Sequence, residues 1–282
     1  MIDIITDTLV DALKLLPFLY LTYLLIEWLE HCAESRTLEI IHRAGKFGPL
    51  LGGPLGALPQ CGFSAATANL YAGGIITRGT LIAVFLSTSD EMLPILISNQ
   101  VDILLIVKIL VTKAVIGILA GLLTDLIEKL LHRNNPHRPE DLCAGGDCHC
   151  DKENIFLSAL RHTLHIFFFL LLISLLLNTA VAWAGPERLA TFILNRPVVG
   201  ELLAGLIGFI PNCAASVVLT QLYLAGGMGI GAMLSGLLVG AGVGILVLFR
   251  VNRNLRDNLR TVALLYFFGV AFGLLASVLP IF

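Results

Sequence analysis

The sequence predicts an all-α polytopic membrane protein made of two inverted-topology repeats, each with three spanning helices plus a broken-helix re-entrant hairpin, about ten helices in total. Three observations predict it. The 282 residues are 57% hydrophobic and only 13% charged, with a mean hydropathy of +0.89, against roughly a quarter charged in soluble domains. Apolar runs longer than the eighteen or so residues that can cross a bilayer recur from end to end, leaving no room for a separate soluble domain. Shifting the sequence by 152 residues lays Pro59, Cys61, Ser64, Leu70, Tyr71, Gly74 and Gly79 over Pro211, Cys213, Ser216, Leu222, Tyr223, Gly226 and Gly231 without a gap.

The elements follow in order. The N-terminus, MIDIITDTLVDALKLL, is acidic and lacks the basic start and small-residue cleavage site of a signal peptide, so it reads as the beginning of a first span, about Ile5 to Leu29, whose mate is Ile155 to Ala182. Next comes an interrupted apolar segment, Phe47 to Gly73 and Val198 to Gly226, broken at the Pro-x-Cys. Two more spans complete each half, one of them from about Gly79 to Ile97. Repeat 1 thus covers 1–131 and repeat 2 covers 154–282, with a polar loop at 132–153 between them.

Charge decides how the interrupted segments run. If they are hairpins, Arg36, Arg43, Lys46, Arg78, Lys129, Arg133, Arg138, Lys152, Arg250, Arg253, Arg256 and Arg260 fall on one side, against Arg188 and Arg196 on the other. Full crossings would scatter them. The hairpin reading places the chain in the inner (plasma) membrane with the central loop cytoplasmic and both termini outside. Small residues at i, i+4 and i+8, namely Gly48, Gly52 and Gly56 with Gly200, Ala204 and Gly208, make ridges for close helix packing.

Polar chemistry then stands out against this background. A proline is tolerated at the start of a helix, so Pro59 and Pro211 are expected to open the second half-helix of each hairpin. The residues that follow are Gln60, Cys61 and Ser64, and Asn212, Cys213 and Ser216. Each Cys–Ser pair shares a helix face, and the sulfurs suit a soft metal or metalloid; filling of a tight break is the plainer alternative. In Ser87-Thr88-Ser89-Asp90-Glu91-Met92, the carboxylates Asp90 and Glu91 lie near the midplane, where charge is costly unless paired or functional. They are candidates for cation ligation or proton coupling, or for an ion pair with Lys108 or Lys113 that only holds helices together. His162 and His165 share a face and suit proton relay or metal binding. The loop, with Cys143, Cys148, His149 and Cys150, suits delivery or sensing of Zn(II), Cu(I) or As(III), and equally a redox-exposed tether with no dedicated role.

The stretches KLLPFLYLTYLLIEWLEH, GKFGPLLGGPLGALPQCGFSAATANLYAGG, LIAVFLSTSDEMLPILIS, the Cys/His loop and FIPNCAASVVLTQLY together resemble the ten-helix heavy-metal exporter family, whose members carry labels such as arsenic efflux protein or manganese transporter. The resemblance implies export of a metal or metalloid. It transfers no ligand set, so the site residues rest on the physical reading above. The function expected is a secondary transporter of the Mn(II) or arsenite class, proton-coupled because no nucleotide-binding motif such as a P-loop is present. Alternatives are a transporter of a small anion held at the half-helix N-termini and a membrane-embedded thiol redox enzyme. No base poised beside a nucleophile is recognisable, so a non-enzyme is expected. Its partners would be the bilayer and the cargo, with a homodimer as the assembly allowed for and no nucleic acid or resident cofactor.

Overall fold

The computed structural model describes residues 47–57, 61–89, 92–131, 198–211 and 213–278, with separate helical positions within 13–24 and 156–175; positions 61, 62, 213 and 214 are described by backbone only. Helix accounts for every regular element among the described residues. The first half holds α1 (Gly48–Gly56), α2 (Cys61–Ala72), α3 (Arg78–Ser87), α4 (Met92–Ser98) and α5 (Ile103–Leu130). The second holds α6 (Val199–Gly208), α7 (Cys213–Leu224), α8 (Ile230–Val239), α9 (Gly244–Val251) and α10 (Leu255–Val278). The stretches Arg78–Ser98, Ile103–Leu130, Ile230–Val251 and Leu255–Val278 are long and apolar enough to cross a bilayer.

Glycines fix the direction of the chain. Gly48 lies against Thr80, Gly52 against Thr80 and Val84, and Gly56 against Val84 and Ser87, so α1 and α3 run parallel with their starts side by side. Residues 47–77 therefore return to the end from which α1 departs, and the 12-residue α2, about 18 Å long, covers the return. The turn out of α2 is closed by Gly74 at φ +68°, whose N–H donates to the Tyr71 carbonyl at 3.0 Å. Helix α5 comes back antiparallel, since Gly79 meets Gly121 and Gly117 meets Ala83.

The same contacts recur 152 residues later. Gly200 meets Ala232, Gly208 meets Gly236, Gly231 meets Gly273 and Gly269 meets Ser235, while Gly226 at φ +73° closes the turn after α7 with a 3.0 Å bond to Tyr223. Without a hydrophobic force between helices in lipid, backbone approach of this kind supplies the contact, and only small residues allow it.

Two sequence expectations change. The span expected from Gly79 to Ile97 is not one helix: α3 stops at Ser87, Thr88 and Ser89 are non-helical, and α4 begins at Met92. Its mate is interrupted at the same place, between Val239 and Gly244, with Gly242 at φ +54°. In the first half the hydroxyls of Ser87 and Thr88 fold back on the Ala83 and Val84 carbonyls at 2.7 and 2.8 Å as second donors beside the last helical N–H groups, local bonding of the kind that accompanies a helix end. Pro211 likewise does not open α7. It lies in a bend after α6, and α7 is described from Cys213; Pro59, its counterpart, lies outside the described residues.

Two apolar cores join the halves. One gathers Tyr71, Phe85 and Leu86 with Leu238, Val247, Leu248 and Leu265; the other gathers Met92, Leu96 and Ile109 with Leu219, Met233 and Leu237. In each, a short helix of one half packs on the piece that follows the break in the other, α2 on α9 and α7 on α4. Leu104, Val107, Val111, Val115, Leu119, Leu122 and Leu126 leave an exposed apolar face along α5, suited to lipid.

The Gly79 contact tests this packing. A Cβ there would stand 2.2 Å from the Gly121 carbonyl oxygen, whereas one on Gly229 meets nothing within 4 Å. Gly79→Ala is expected to lower unfolding stability in detergent by about 1–3 kcal/mol and Gly229→Ala to leave it within about 0.5 kcal/mol, read from parallel unfolding curves.

Candidate functional site

The two broken spans meet where a bilayer protein can least tolerate loose backbone. Helices α3 and α8 touch near their C-terminal ends, and each end leaves carbonyls without a helical N–H partner. In α8 the ladder stops at Gly240, whose N–H reaches the Gly236 carbonyl at 3.0 Å; the next N–H, of Ala241, turns to Val239 at 2.9 Å and forsakes Leu237. The group that serves Leu237 comes from α5. Lys113, fully buried, donates from Nζ to the Leu237 carbonyl at 3.0 Å and also to the carbonyl of Thr88, the residue that caps α3. One ammonium thus bridges the negative ends of a half-helix from each half. Lys108, the other cation of that helix considered above, is exposed.

A small cleft opens beside this bridge. Thr88 and Ser89 line it from the first half; Gly208, Ile210, Ala215, Ser216, Gly236, Leu237 and Gly240 line it from the second. Ser89 Oγ donates to the Ser87 carbonyl at 3.1 Å, which leaves its lone pairs as acceptors. The cleft wall is mostly apolar, with Ile210, Ala215, Leu219 and Leu237, and carries the hydroxyl residues Thr88, Ser89 and Ser216 as its polar part. Such a lining can hold a small polar or ionic species between the halves.

Of the side chains expected at the site, Ser216 faces this cleft together with Ser89, the residue immediately before Asp90. Ser64 is fully buried in α2 beneath α9, and a Cβ on Gly244 would come within 2.8 Å of its Cβ. Gln60, Asp90, Glu91, Asn212, His162, His165 and the loop residues Cys143, Cys148, His149 and Cys150 lie outside the described residues, as do the side chains of Cys61 and Cys213. Among the described residues no three His, Cys, Asp or Glu side chains come together as a metal-binding group. The signal for Lys113 was present in the sequence as a basic residue inside a 28-residue apolar helix, but its role as a carbonyl bridge was not legible from spacing.

A second polar cluster, unmarked by any motif, lies at one end of the bundle. Arg78 donates from Nε to the Tyr71 hydroxyl at 3.1 Å, and its terminal nitrogens pair with Glu128 near the end of α5 and with Asp257 at the start of α10. The Tyr71 hydroxyl and the Asn252 amide each donate to Asp257 Oδ2 at 2.8 Å. Asp125 completes the layer, accepting from Thr77 Oγ1 and the Gly79 N–H, both at 2.8 Å.

Compared with family models, the chain matches the one described as "Putative, 10TM heavy-metal exporter" over residues 1–199. The chain belongs to this family. No curated protein and no solved structure matches it. The exporter match includes α1, α2, the Ser87–Ser89 break, Lys113, Arg78 and Glu128, and it stops as α6 begins. The remaining residues repeat the close glycine contacts of the matched part at the 152-residue offset.

The Arg78 cluster gives a stability test. Arg78→Met leaves two carboxylates without their guanidinium and is expected to cost about 3–5 kcal/mol, while the double variant with Asp257→Leu should recover part of that loss. Unfolding in detergent measures both, and equal losses in single and double variants would remove the pairing from the account of stability.

Proposed function

We propose that the chain is a secondary transporter that moves a heavy metal or metalloid of the Mn(II) or arsenite class out of the cell by proton-coupled alternating access between two inverted repeats. The observation that carries the reading is the cleft itself, formed where the interrupted helices of both halves meet and lined by residues of both. Family membership supports metal export, and the absence of a P-loop motif from the sequence supports a gradient as the driving force.

Inversion is supported by the Arg78 cluster. Helices α5 and α10 are repeat mates, yet Arg78 touches the last turns of one and the first turn of the other. Mates whose opposite ends adjoin run antiparallel. Lys129, Arg250, Arg253, Arg256 and Arg260 lie at the same end, which favours a cytoplasmic assignment for it and, with it, a cytoplasmic 132–153 loop and outside termini in the inner membrane. The parallel course of α1 and α3 favours the re-entrant hairpin in repeat 1, and that of α6 and α8 favours it in repeat 2.

In this reading Asp90 and Glu91, directly after Ser89, take the cation with Gln60, Cys61, Ser64, Asn212, Cys213 and Ser216, and also exchange the coupling proton with His162 and His165. The thiol and imidazole groups of Cys143, Cys148, His149 and Cys150 deliver the metal from the cytoplasm. A borderline donor set of sulfur, carboxylate and amide accommodates either cargo class. A second reading, transport of a small inorganic anion, is favoured by the Lys113 ammonium and the first turn of α7 beside the cleft.

Purified protein in liposomes should move Mn(II) or arsenite, and Asp90→Asn or Glu91→Gln should reduce flux at least about 100-fold while the protein still folds, as expected for direct ligands or proton carriers. Phosphate or sulfate flux without metal flux would replace the first reading with the second; turnover of a thiol substrate without any flux would sink both. For topology, Ser98→Cys and Arg253→Cys in a cysteine-free background should react with a membrane-impermeant thiol reagent from outside and inside the cell, respectively. Labelling of both from one side would overturn the inverted arrangement.

A further inference from the structure

Half-helix C-termini and unwound carbonyls at the centre of broken-helix transporters are places where a small coupling cation is coordinated, because they gather partial negative charge inside the membrane. Here that place is filled by the protein. The Thr88 and Leu237 carbonyls, one from the break in each half, both accept from the Nζ of Lys113, whose side chain is fully buried. The repeat mate of Lys113 is Leu265, an apolar core residue, so symmetry of the fold does not require a cation at this point of α5. Among the described residues the partners of Lys113 are this pair of carbonyls, and a primary ammonium presents the same single charge and short oxygen contacts as a monovalent metal ion.

We propose that Lys113 is a tethered cation occupying a monovalent-cation site between the two breaks, and that it frees transport from any requirement for Na+ or K+. The inference rests on the alternating-access reading above and names the coupling chemistry of the same region. The tether also fixes selectivity by charge. A permanent occupant at the carbonyl pair leaves the cleft beside Ser89 and Ser216 as the place for the cargo and keeps alkali cations, abundant on both sides of a membrane, from competing for the carbonyl ends. Removing the side chain to its Cβ should turn the filled position into an open one that accepts a free cation.

The test compares wild type with Lys113→Ala and Lys113→Met in detergent, by thermal unfolding at equal ionic strength in N-methylglucamine, sodium, potassium or ethylammonium chloride. Wild type should melt at the same temperature in all four. The alanine variant should melt lower in N-methylglucamine and gain about 2–4 °C, saturably, with ethylammonium or Na+, as for occupation of a site at several times its dissociation constant. The methionine variant, whose side chain refills the space without charge, should gain nothing. A wild-type protein that gains as much as the alanine variant, or an alanine variant indifferent to every cation, overturns the proposal. Should the alanine variant not fold, wild-type metal flux in liposomes decides: it should persist when Na+ and K+ are replaced on both sides, and loss of flux on that replacement alone overturns it. Absence of flux in every salt counts against the transporter reading and leaves the wild-type melts to decide this one: a wild type stabilised by Na+ or K+ over N-methylglucamine overturns it.

Discussion

The bridge from Lys113 to two main-chain carbonyls is the interaction on which the centre of the molecule depends. A bilayer offers no water to a peptide group, so an interrupted helix is viable only where protein satisfies the ends. Four half-helix ends are generated by the breaks after Ser87 and Val239. The Thr88 carbonyl at the end of α3 and the Leu237 carbonyl in the last turn of α8 both accept from a single ammonium reaching in from α5. An apolar residue at 113 would leave both orphaned.

Around that centre the two halves are built on one plan with unequal chemistry. Close backbone contacts at Gly48, Gly56, Gly79 and Gly117 repeat at Gly200, Gly208, Gly231 and Gly269. These charged groups do not repeat. Asp90 and Glu91 correspond to Gly242 and Val243, Lys113 to Leu265, Arg78 to Ile230 and Asp125 to Ser277. The first half brings the buried cations Lys113 and Arg78, and the second brings the Leu237 carbonyl and the Asp257 carboxylate that accept from them. This division explains why the key bonds cross between halves: a donor on one repeat finds its acceptor on the other, as Lys113 does at Leu237 and Arg78 at Asp257.

The crossing bonds also set what can move. Apolar contact between helices in lipid is adaptable, since tails replace side chains at little cost, whereas a buried guanidinium shared by Tyr71, Glu128 and Asp257 must be exchanged for other partners or hydrated. Rearrangement between the halves therefore has discrete points of resistance. Breaking the Arg78 layer admits water to one end of the bundle, while the Lys113 bridge holds the middle.

The sequence by itself determined the membrane class, the 152-residue register at which its own residues match and the family, because hydropathy, glycine spacing and short motifs are local and additive. Charge asymmetry even anticipated that Arg78 and the 250–260 arginines would share one end, since translocation acts on loops as they stand in the chain. The second break was missed: LIAVFLSTSDEMLPILIS reads as one apolar span, and the serine and threonine hydroxyls that end α3 could as well have pointed outward. Only the tertiary structure chose Lys113 over Lys108 as the inward cation, joined Ser89 to Ser216 at one cleft, and paired Arg78 with a residue 179 positions away. Those outcomes depend on which helix faces meet across the two halves, and a facing is set by the packing of whole backbones against one another rather than by any residue's own neighbours.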